Sequence, residues 1–596
     1  MAAAYACAPA SCNTSTQSDD DTSSKTVGIV GAGPAGLVFA KELLEQGMDV
    51  VLFEMQKNVG GVFSRTYDGT MLTTSNVLTQ FSSHQTGEEK EPLMYTAEQY
   101  VGYLESFAKR FGVLSRIHFS TRVERIAPKS EETGKYEFTV RNVSPRLETT
   151  GDHDGGINND ALMRAEWDLV PCSDEMRFYF DHVVVCSGVN LQPVMARWPD
   201  MDKFRGEILH TMGYKNAEPY KGKRVLLVGL GESGSDIALQ VAKVASQSAI
   251  SSRSGPGTVT PRYLDQEPAD LITNRAYYCM PDEGTETLWR NIFWWSYQNR
   301  KALKDYATNG KWALDNYKRN ALPTNRFGTK NTSFMVAQAE HGTAIHPDID
   351  HFTETGVQFV DGTTFDCDAV IVNTGYKGDL KFLSSSTGGA VDDDTLADFG
   401  DVRLLFKHMY HPNLGSDIVL GGFARPAFGA IPPCAEMQAR YHALVLAGKK
   451  ELPADMDDRI RRDRDFEMKR FPKDSPRLSA LTDYLFYMES MADLIGCSPK
   501  GEFLRKLKKS HPNIHKRVMF GPISAHAYRL RGEHGADFAA MEKYYGDLPF
   551  SRFFSKGPGA MFIKVHAMLL DIMQGLGYNL RGVSGEVHNR RGNTCA

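Results

Sequence analysis

Two glycine-rich turns carry the chemistry most open to reading in this sequence. The first is GAGPAG, in which Gly31, Gly33 and Gly36 are spaced as GxGxxG around Ala32, Pro34 and Ala35. Gly31 permits a tight turn, Gly33 lets the backbone approach a pyrophosphate, and Gly36 lets a following helix lie close on the preceding strand. The free N–H groups and positive dipole end of that helix would face the phosphates. Glu54 stands roughly 20 residues past Gly36, where it can accept hydrogen bonds from ribose hydroxyls while its charge repels a 2′-phosphate. This turn is expected to take FAD or NAD rather than NADP. The second turn is GLGESG, with Gly229, Gly231 and Gly234. At the place matching Glu54 it has Ser252 and Arg253, a hydroxyl and a cation that suit a 2′-phosphate. The second turn is expected to take NADPH.

The elements needed to position these residues are present in order. TVGIV (26–30) is an apolar, β-branched run that suits a buried parallel strand. Leu37, Val38, Ala40, Leu43 and Leu44 follow at helical spacing, Gly47 ends the helix, and DVVLF (49–53) is a second strand. The later unit repeats the plan, with a strand at 224–228 and a helix carrying Ile237, Ala238, Val241, Ala242 and Val244. A lone GxGxxG is weak evidence, whereas strand, glycines, helix, strand and terminal residue in sequence are strong. The fold is therefore expected to be α/β with two doubly wound, Rossmann-like dinucleotide-binding domains. One acid-tipped and one arginine-tipped unit together imply hydride transfer from NADPH to FAD. That step leaves the final acceptor open among a disulfide, a quinone or metal centre, and O2. A disulfide reductase needs a vicinal cysteine pair, and the nine cysteines include none spaced as CxxC.

Bulk properties narrow the classes further. The 596 residues suggest about three to four domain-sized units. Apolar residues make up 41% and charged residues 24%, enough for a large core, and a net charge of −5 without blocks of like sign gives no sign of a nucleic-acid partner. Residues 1–25 are polar, include Asp19, Asp20 and Asp21, and lack a signal-peptide pattern, so they are expected to be a disordered tail on a cytoplasmic protein. No stretch reaches the roughly 18 uncharged apolar residues of a membrane span. Residues 559–578 come nearest but contain Lys564, His566 and Asp571, and read as an amphipathic helix packed on the body, with peripheral membrane contact the lesser alternative. His408 and His411 are close in sequence, yet no carboxylate or cysteine completes a ligand set there, and no metal is expected.

Between the units lies FRGEILHTMGY, with Phe204, Gly206, His210 and Tyr214. It resembles the FxGxxxHxxx(Y/F) signature of flavin-containing monooxygenases, the N- and S-oxygenating type of class B flavoprotein monooxygenase. YKGKRVLLVGLGESGSDIA (220–238) is similar to that family's NADPH unit, and GGVF (60–63) to its GGxW flavin segment with Phe63 in place of the usual Trp. IVNTGY (371–376) resembles its ATGY strand, and 422–441, 471–499 and 521–532 resemble its C-terminal segments. The resemblance spans about residues 26 to 532. It implies that Asn76, in TTSN, is the active-site asparagine that hydrogen-bonds near flavin and nicotinamide and holds a C4a-hydroperoxyflavin; without it, Asn76 reads as a polar turn residue. It further implies that Ser75 touches NADP, that Gly61, Val62, Phe63 and Val77 line the flavin, and that Ser233, Gly234, Ser235 and Asp236 hold NADPH. Thr374 and Gly375 belong to its strand back to the flavin domain. His210 is read as a hydrogen-bonded hinge in preference to a general base.

The implied enzyme is an NADPH- and O2-dependent monooxygenase, similar to N,N-dimethylaniline monooxygenases, that oxygenates a small nucleophile at an amine nitrogen or sulfide sulfur. Two alternatives stay open. One is Baeyer–Villiger oxygenation of a ketone, although relatives of that kind usually have Trp where Tyr214 stands. The other is an uncoupled NADPH oxidase or redox sensor. The expected architecture inserts the NADPH domain (203–332) into a discontinuous FAD domain (26–202 and 333–550), followed by a helical extension and polar tail (551–596). Two departures from the family stand out, a polar insertion at 147–166 and an aromatic-rich addition at 278–320 that could serve as a lid or partner surface. The chain ends in GEVHNRRGNTCA where membrane-bound animal members carry an apolar anchor, and a homodimer is a reasonable default.

Overall fold

The computed structural model describes residues 24–145, 169–253, 261–264, 266–275, 329–427, 429–471, 481–533, 535, 538–548, 551, 568, 587–588 and 594–595. The insertion 147–166, the aromatic segment 278–320, and nearly all of the tail 1–25 and the extension 551–596 lie outside them.

Two parallel sheets organise the chain. In the first, the order is Ile418–Leu420, His182–Val185, Thr26–Val30, Asp49–Phe53, Ile117–His118, each pair parallel. Thr26–Val30, His182–Val185 and Ile418–Leu420 are short, largely β-branched runs buried along most of their length, as a parallel sheet requires. Helix α1 (Pro34–Glu45) crosses from the first strand to the second and buries Leu37, Val38, Phe39, Ala40 and Leu43 completely, against the helix Ile431–Leu446 among others. Each such side chain contributes about 1.5–3 kcal/mol on leaving water. The edge strand Ile418–Leu420 comes from far down the chain, so the first unit is assembled from two stretches of sequence.

The second sheet has the order Glu207–His210, Ala369–Val372, Arg224–Val228, Gln247–Ser251, Ala344–His346, again all parallel. This corrects one boundary. The sequence placed the end of the NADPH unit at 332, but Ala344–His346 and Ala369–Val372 are both strands of its sheet, and the helix Ser333–His341 packs on its first helix. The unit runs on to Val372, and the chain returns to the first sheet only afterwards. One strand–helix–strand repeat does not complete the unit, because the place between Glu207–His210 and Arg224–Val228 is filled by a strand more than a hundred residues later.

Two smaller features position the site. The strands Met71–Ser75 and Met94–Thr96 pair antiparallel, and Met71–Ser75 runs directly into the short helix α2 (Asn76–Thr79). Helix α3 (Ala97–Arg110), capped by Thr96 and Gln99, backs this hairpin. The later helices Glu502–Ser510, Pro512–Phe520 and Phe538–Asp547 share an apolar cluster with Val77 and Leu78 of α2. Among the described residues no helix is long and apolar enough to cross a membrane.

Candidate active site

The two glycine turns have the same construction. A β-carbon on Gly36 would stand 2.0 Å from the Gly31 carbonyl oxygen, and one on Gly234 would stand 2.4 Å from that of Gly229. Only glycine lets either helix rise so close to its strand. Helix α1 starts from Gly33 with Pro34 at its first turn, and helix α4 (Glu232–Ala242) starts from Gly231. Neither has a side-chain cap, so the first-turn N–H groups of both are free to meet a phosphate.

The GGVF loop hangs over the first turn. Gly60 N–H donates to the Ala32 carbonyl (3.2 Å), and a β-carbon on Gly61 would lie 3.2 Å from the Gly33 Cα. The two loops therefore touch backbone to backbone, a cradle that fits a dinucleotide and that larger residues would fill. Val62 is exposed beside it, and Phe63 stands edge-on to Tyr100 at 5.0 Å. Ala35 packs on the core below. Glu54, at the tip of the second strand, accepts the Ala32 and Gln56 N–H groups, each at 2.8 Å. Burial pushes its carboxyl up, while those N–H groups and Arg65 pull the other way. The acid is held at the rim of the cradle, where a ribose would lie in a doubly wound unit.

At the second cradle, Ser252 and Arg253 follow the strand Gln247–Ser251. Ser252 is half-buried, its N–H donating to the His346 carbonyl at 2.9 Å, and Arg253 is exposed. If they read a 2′-phosphate, Arg253→Ala raises the KM for NADPH about tenfold, the worth of one charge-assisted hydrogen bond, and leaves the KM for NADH unchanged. Equal changes for both nucleotides, measured by steady-state oxidation, would remove Arg253 from the site.

Asn76 is the first residue of α2 and is completely buried. Its Oδ1 accepts the Val77 N–H (2.9 Å) and the Leu93 N–H (3.1 Å), and its Nδ2 donates to the Glu88 carbonyl (3.1 Å). The amide carries a second hydrogen that none of these contacts uses. Val77 joins an apolar cluster with Leu78, Leu271, Tyr544 and Tyr545, which fixes the helix from behind.

Asp236 and Ser235 point inward. The Asp236 carboxylate accepts from Tyr67 Oη (3.0 Å), Asn331 Nδ2 (2.8 Å) and both terminal nitrogens of Arg262 (2.8 Å each). Ser235 Oγ lies 3.3 Å from the Asn331 carbonyl and accepts the Phe334 N–H at 3.1 Å. The Ser233 hydroxyl lies against the Tyr67 phenol. These residues tie α4 to its surroundings, and Tyr67 belongs to the first unit.

The hinge residues are also engaged. His210 is completely buried; its Nδ1 accepts the Met212 N–H (3.1 Å), so Nε2 carries the hydrogen and donates to the Gly375 carbonyl (3.2 Å). Burial lowers its pKa to about 4, and the ring stays neutral near neutral pH. Gly375 takes φ +89° and Thr374 Oγ1 donates to the Val194 carbonyl, which pins the strand end to the crossing segment. Tyr214 donates to Gln240 Oε1 on α4 (2.8 Å) and stacks on Tyr220. His408 and His411 each face a separate carboxylate, Glu467 (2.9 Å) and Asp398 (3.2 Å).

Three charged residues not singled out in the sequence stand at the start of α4 and beside the Asn76 hairpin. Lys330 N–H donates to Glu232 Oε1 at 2.7 Å, and its Nζ reaches the Gly429 carbonyl at 3.4 Å. Asp270 Oδ2 accepts the Ser75 N–H at 2.6 Å. Burial pushes Glu232 and Asp270 up and Lys330 down, each opposed by its neighbours' charges. Glu232 was visible inside GLGESG, but Asp270 and Lys330 sit at no spacing that marks them.

Two nucleotide cradles of this form, joined through Asp236, Tyr67 and the Asn76 hairpin, define a flavin- and pyridine-nucleotide-dependent oxidoreductase. A family model described as Flavin-binding monooxygenase-like matches residues 157–545, and one described as an NAD(P)-binding Rossmann-like domain matches 29–85. The chain belongs to the flavin-binding monooxygenase-like family; it is a flavin-dependent monooxygenase whose cofactors are FAD and NADPH. It is 29% identical over 532 residues to a 4-hydroxybenzoate brominase (decarboxylating) from Pseudoalteromonas luteoviolacea, covering 87% of this chain and 92% of that one. It is 28% identical to flavin-containing monooxygenase 3 of Homo sapiens, covering 85% and 89%. Its fold matches the structure of S-allyl-L-cysteine S-oxygenase from Allium sativum with a TM-score of 0.53 at 20% identity, covering 88% and 99%.

Proposed function

We propose that the chain transfers one oxygen atom of O2 to a small soft nucleophile, an amine nitrogen or a sulfide sulfur. The observation that carries this reading is Asn76 itself, buried at the start of α2 with one amide hydrogen to spare, on a hairpin that the second unit grips through Asp270. Bound FAD, reduced by NADPH, supplies the activation of O2, and the second oxygen atom leaves as water. The protein's part is to bind and to exclude water. The N-termini of α1 and α4 hold the two pyrophosphates. Glu54 holds a ribose, with Ser252 and Arg253 selecting the 2′-phosphate. Ser75 lies at the nicotinamide side, and Gly61, Val62, Phe63 and Val77 line the flavin. The spare Asn76 N–H donates to the oxygen being transferred, in a site where a fixed donor is worth more than in water. A nucleophile that attacks an electrophilic oxygen needs no base, which accords with the neutral, fully bonded His210.

A second reading takes bromide as the nucleophile. A halide ion is soft and can attack the same oxygen, and the brominase relative favours it. Accounting for NADPH, O2, peroxide and product with an amine, a sulfide, bromide and a ketone separates the cases. Amine or sulfide oxide formed in step with NADPH supports the first reading, and brominated phenol formed only with bromide supports the second. Ketone turnover alone points to Baeyer–Villiger chemistry. Peroxide equal to the NADPH consumed, with every nucleophile, would leave an oxidase or sensor.

A further inference from the structure

The segment 262–272 leaves the NADPH unit and grips the flavin-side hairpin at four points. Arg262 forks onto Asp236 of α4, with both N–O distances at 2.8 Å, and its Nη2 also donates to the Met71 carbonyl at 3.3 Å. Tyr263 Oη accepts the Met94 N–H at 3.0 Å. Asp270 Oδ2 accepts the Ser75 N–H at 2.6 Å, and Leu271, buried, packs with Val77 and Leu78. Ser75 is the residue from which α2 starts, and its own hydroxyl does not cap the helix. An acid from the other unit thus holds the residue immediately before Asn76. The same segment is anchored on the helix whose N-terminus faces the NADPH phosphates.

We propose that Arg262 and Asp270 are positioning residues that clasp the Asn76 helix to the NADPH-binding helix, so that nucleotide occupancy and the placement of the Asn76 amide depend on each other. This rests on the reading of Asn76 above. Neither residue touches a reacting atom; Arg262 acts through Asp236, and Asp270 acts through the Ser75 backbone. The clasp differs from ordinary packing because, beside the apolar contact of Leu271 with Val77 and Leu78, it holds the start of α2 by one carboxylate oxygen on a backbone N–H. Removing that oxygen releases the helix start without opening the apolar cluster behind it.

The linkage gives a reciprocal signature. NADP+ bound at α4 should quiet the hairpin, and a loosened hairpin should weaken NADP+. The test uses the full-length FAD-loaded protein and three variants, Asp270→Ala, Asp270→Asn and Arg262→Ala. Amide hydrogen exchange is followed across 71–80 with and without NADP+, and NADP+ affinity is titrated by its perturbation of flavin absorbance. Peroxide yield per NADPH is measured alongside. In the wild type, NADP+ is expected to slow exchange at 75–79. Asp270→Ala should exchange at least tenfold faster there, lose the response to NADP+, bind NADP+ several-fold more weakly, and raise the peroxide yield while keeping FAD. Asp270→Asn, which retains an acceptor oxygen, should recover most of the protection, and Arg262→Ala should follow Asp270→Ala.

Unchanged exchange at 75–79 in Asp270→Ala would overturn the clasp, as would a response to NADP+ equal to the wild type's. Faster exchange spread across the whole chain would also overturn it, by showing a stability defect in place of a local release. If the wild type yields only peroxide with every nucleophile, the reading of Asn76 as an oxygenation residue fails instead. The exchange and affinity arms still decide the clasp in that case.

Discussion

Arg529→Ala is expected to cost about 3–5 kcal/mol of stability, the penalty for stripping the partner from buried carboxylates. Arg529 Nη2 lies 2.8 Å from Glu42 Oε1 on α1 and 3.1 Å from Glu436 Oε1 on the helix Ile431–Leu446, and its Nε donates to Ser82 Oγ at 2.7 Å. Glu42 is 2% exposed and Glu436 0%, so water does not replace the lost guanidinium. These helices form the floor under the first cradle, and the defect should appear as a lower melting temperature together with lost FAD. The pH dependence identifies the cause. Burial alone would raise the Glu42 carboxyl, but Arg529 and Lys41 outweigh it and hold it at about 2. An acid depressed in the folded state stabilises above its unfolded pKa, about 4.3, and that contribution is lost as pH falls toward 2. Without Arg529 the burial effect gains on the remaining attraction, so this contribution shrinks at neutral pH. The gap between wild type and variant should therefore narrow as the pH is lowered from 7 toward 4. A gap constant over that range, measured by thermal denaturation, would mean that lost packing and not charge is responsible.

What the sequence made legible divides by distance along the chain. The strand–turn–helix–strand units needed only local patterns, with glycines at fixed offsets and apolar residues at strand and helix spacing, and both fold as read. Glu54 and Arg253 could be singled out as candidates because they sit one strand beyond a motif. An interior strand of the second unit, Ala369–Val372, was assigned to the wrong side of a boundary because nothing local says which sheet a short apolar strand will join. The charged residues beside Asn76 were invisible for the same reason. Asp270 meets Ser75, and Arg529 meets Glu42, across 195 and 487 residues of sequence. Asp236 shows a subtler limit. Its place in SGSD marked it as a candidate cofactor contact, and its carboxylate also joins Tyr67, Arg262 and Asn331. Those partners were not legible, because they follow from what the rest of the fold brings near.

The second large effect is expected at Asn76, where two substitutions separate shape from chemistry. Asn76→Ala leaves the Val77 and Leu93 N–H groups without their acceptor and frees the Glu88 carbonyl. Each buried group left unmet costs about 1–3 kcal/mol, so part of any effect would be a shifted 88–93 loop. Asn76→Asp keeps the acceptor for both N–H groups. It has no amide nitrogen, so it offers no amide hydrogen to the Glu88 carbonyl or to the oxygen being transferred. If the spare hydrogen stabilises the oxygen during transfer, both variants should bind FAD and oxidise NADPH at rates close to the wild type's. Their rate of product formation should fall by about 10²–10³, the usual effect of deleting one fixed donor from a dry site. The missing product should appear as hydrogen peroxide, because an oxygen that is not held is released to water. Loss in Asn76→Ala alone, with Asn76→Asp still coupled, would assign the residue to shaping the loop. Coupled product formation in both would make Asn76 an ordinary turn residue, and the donor would have to be sought among groups such as Ser75, which precedes it, and Lys330, which meets Glu232 of α4.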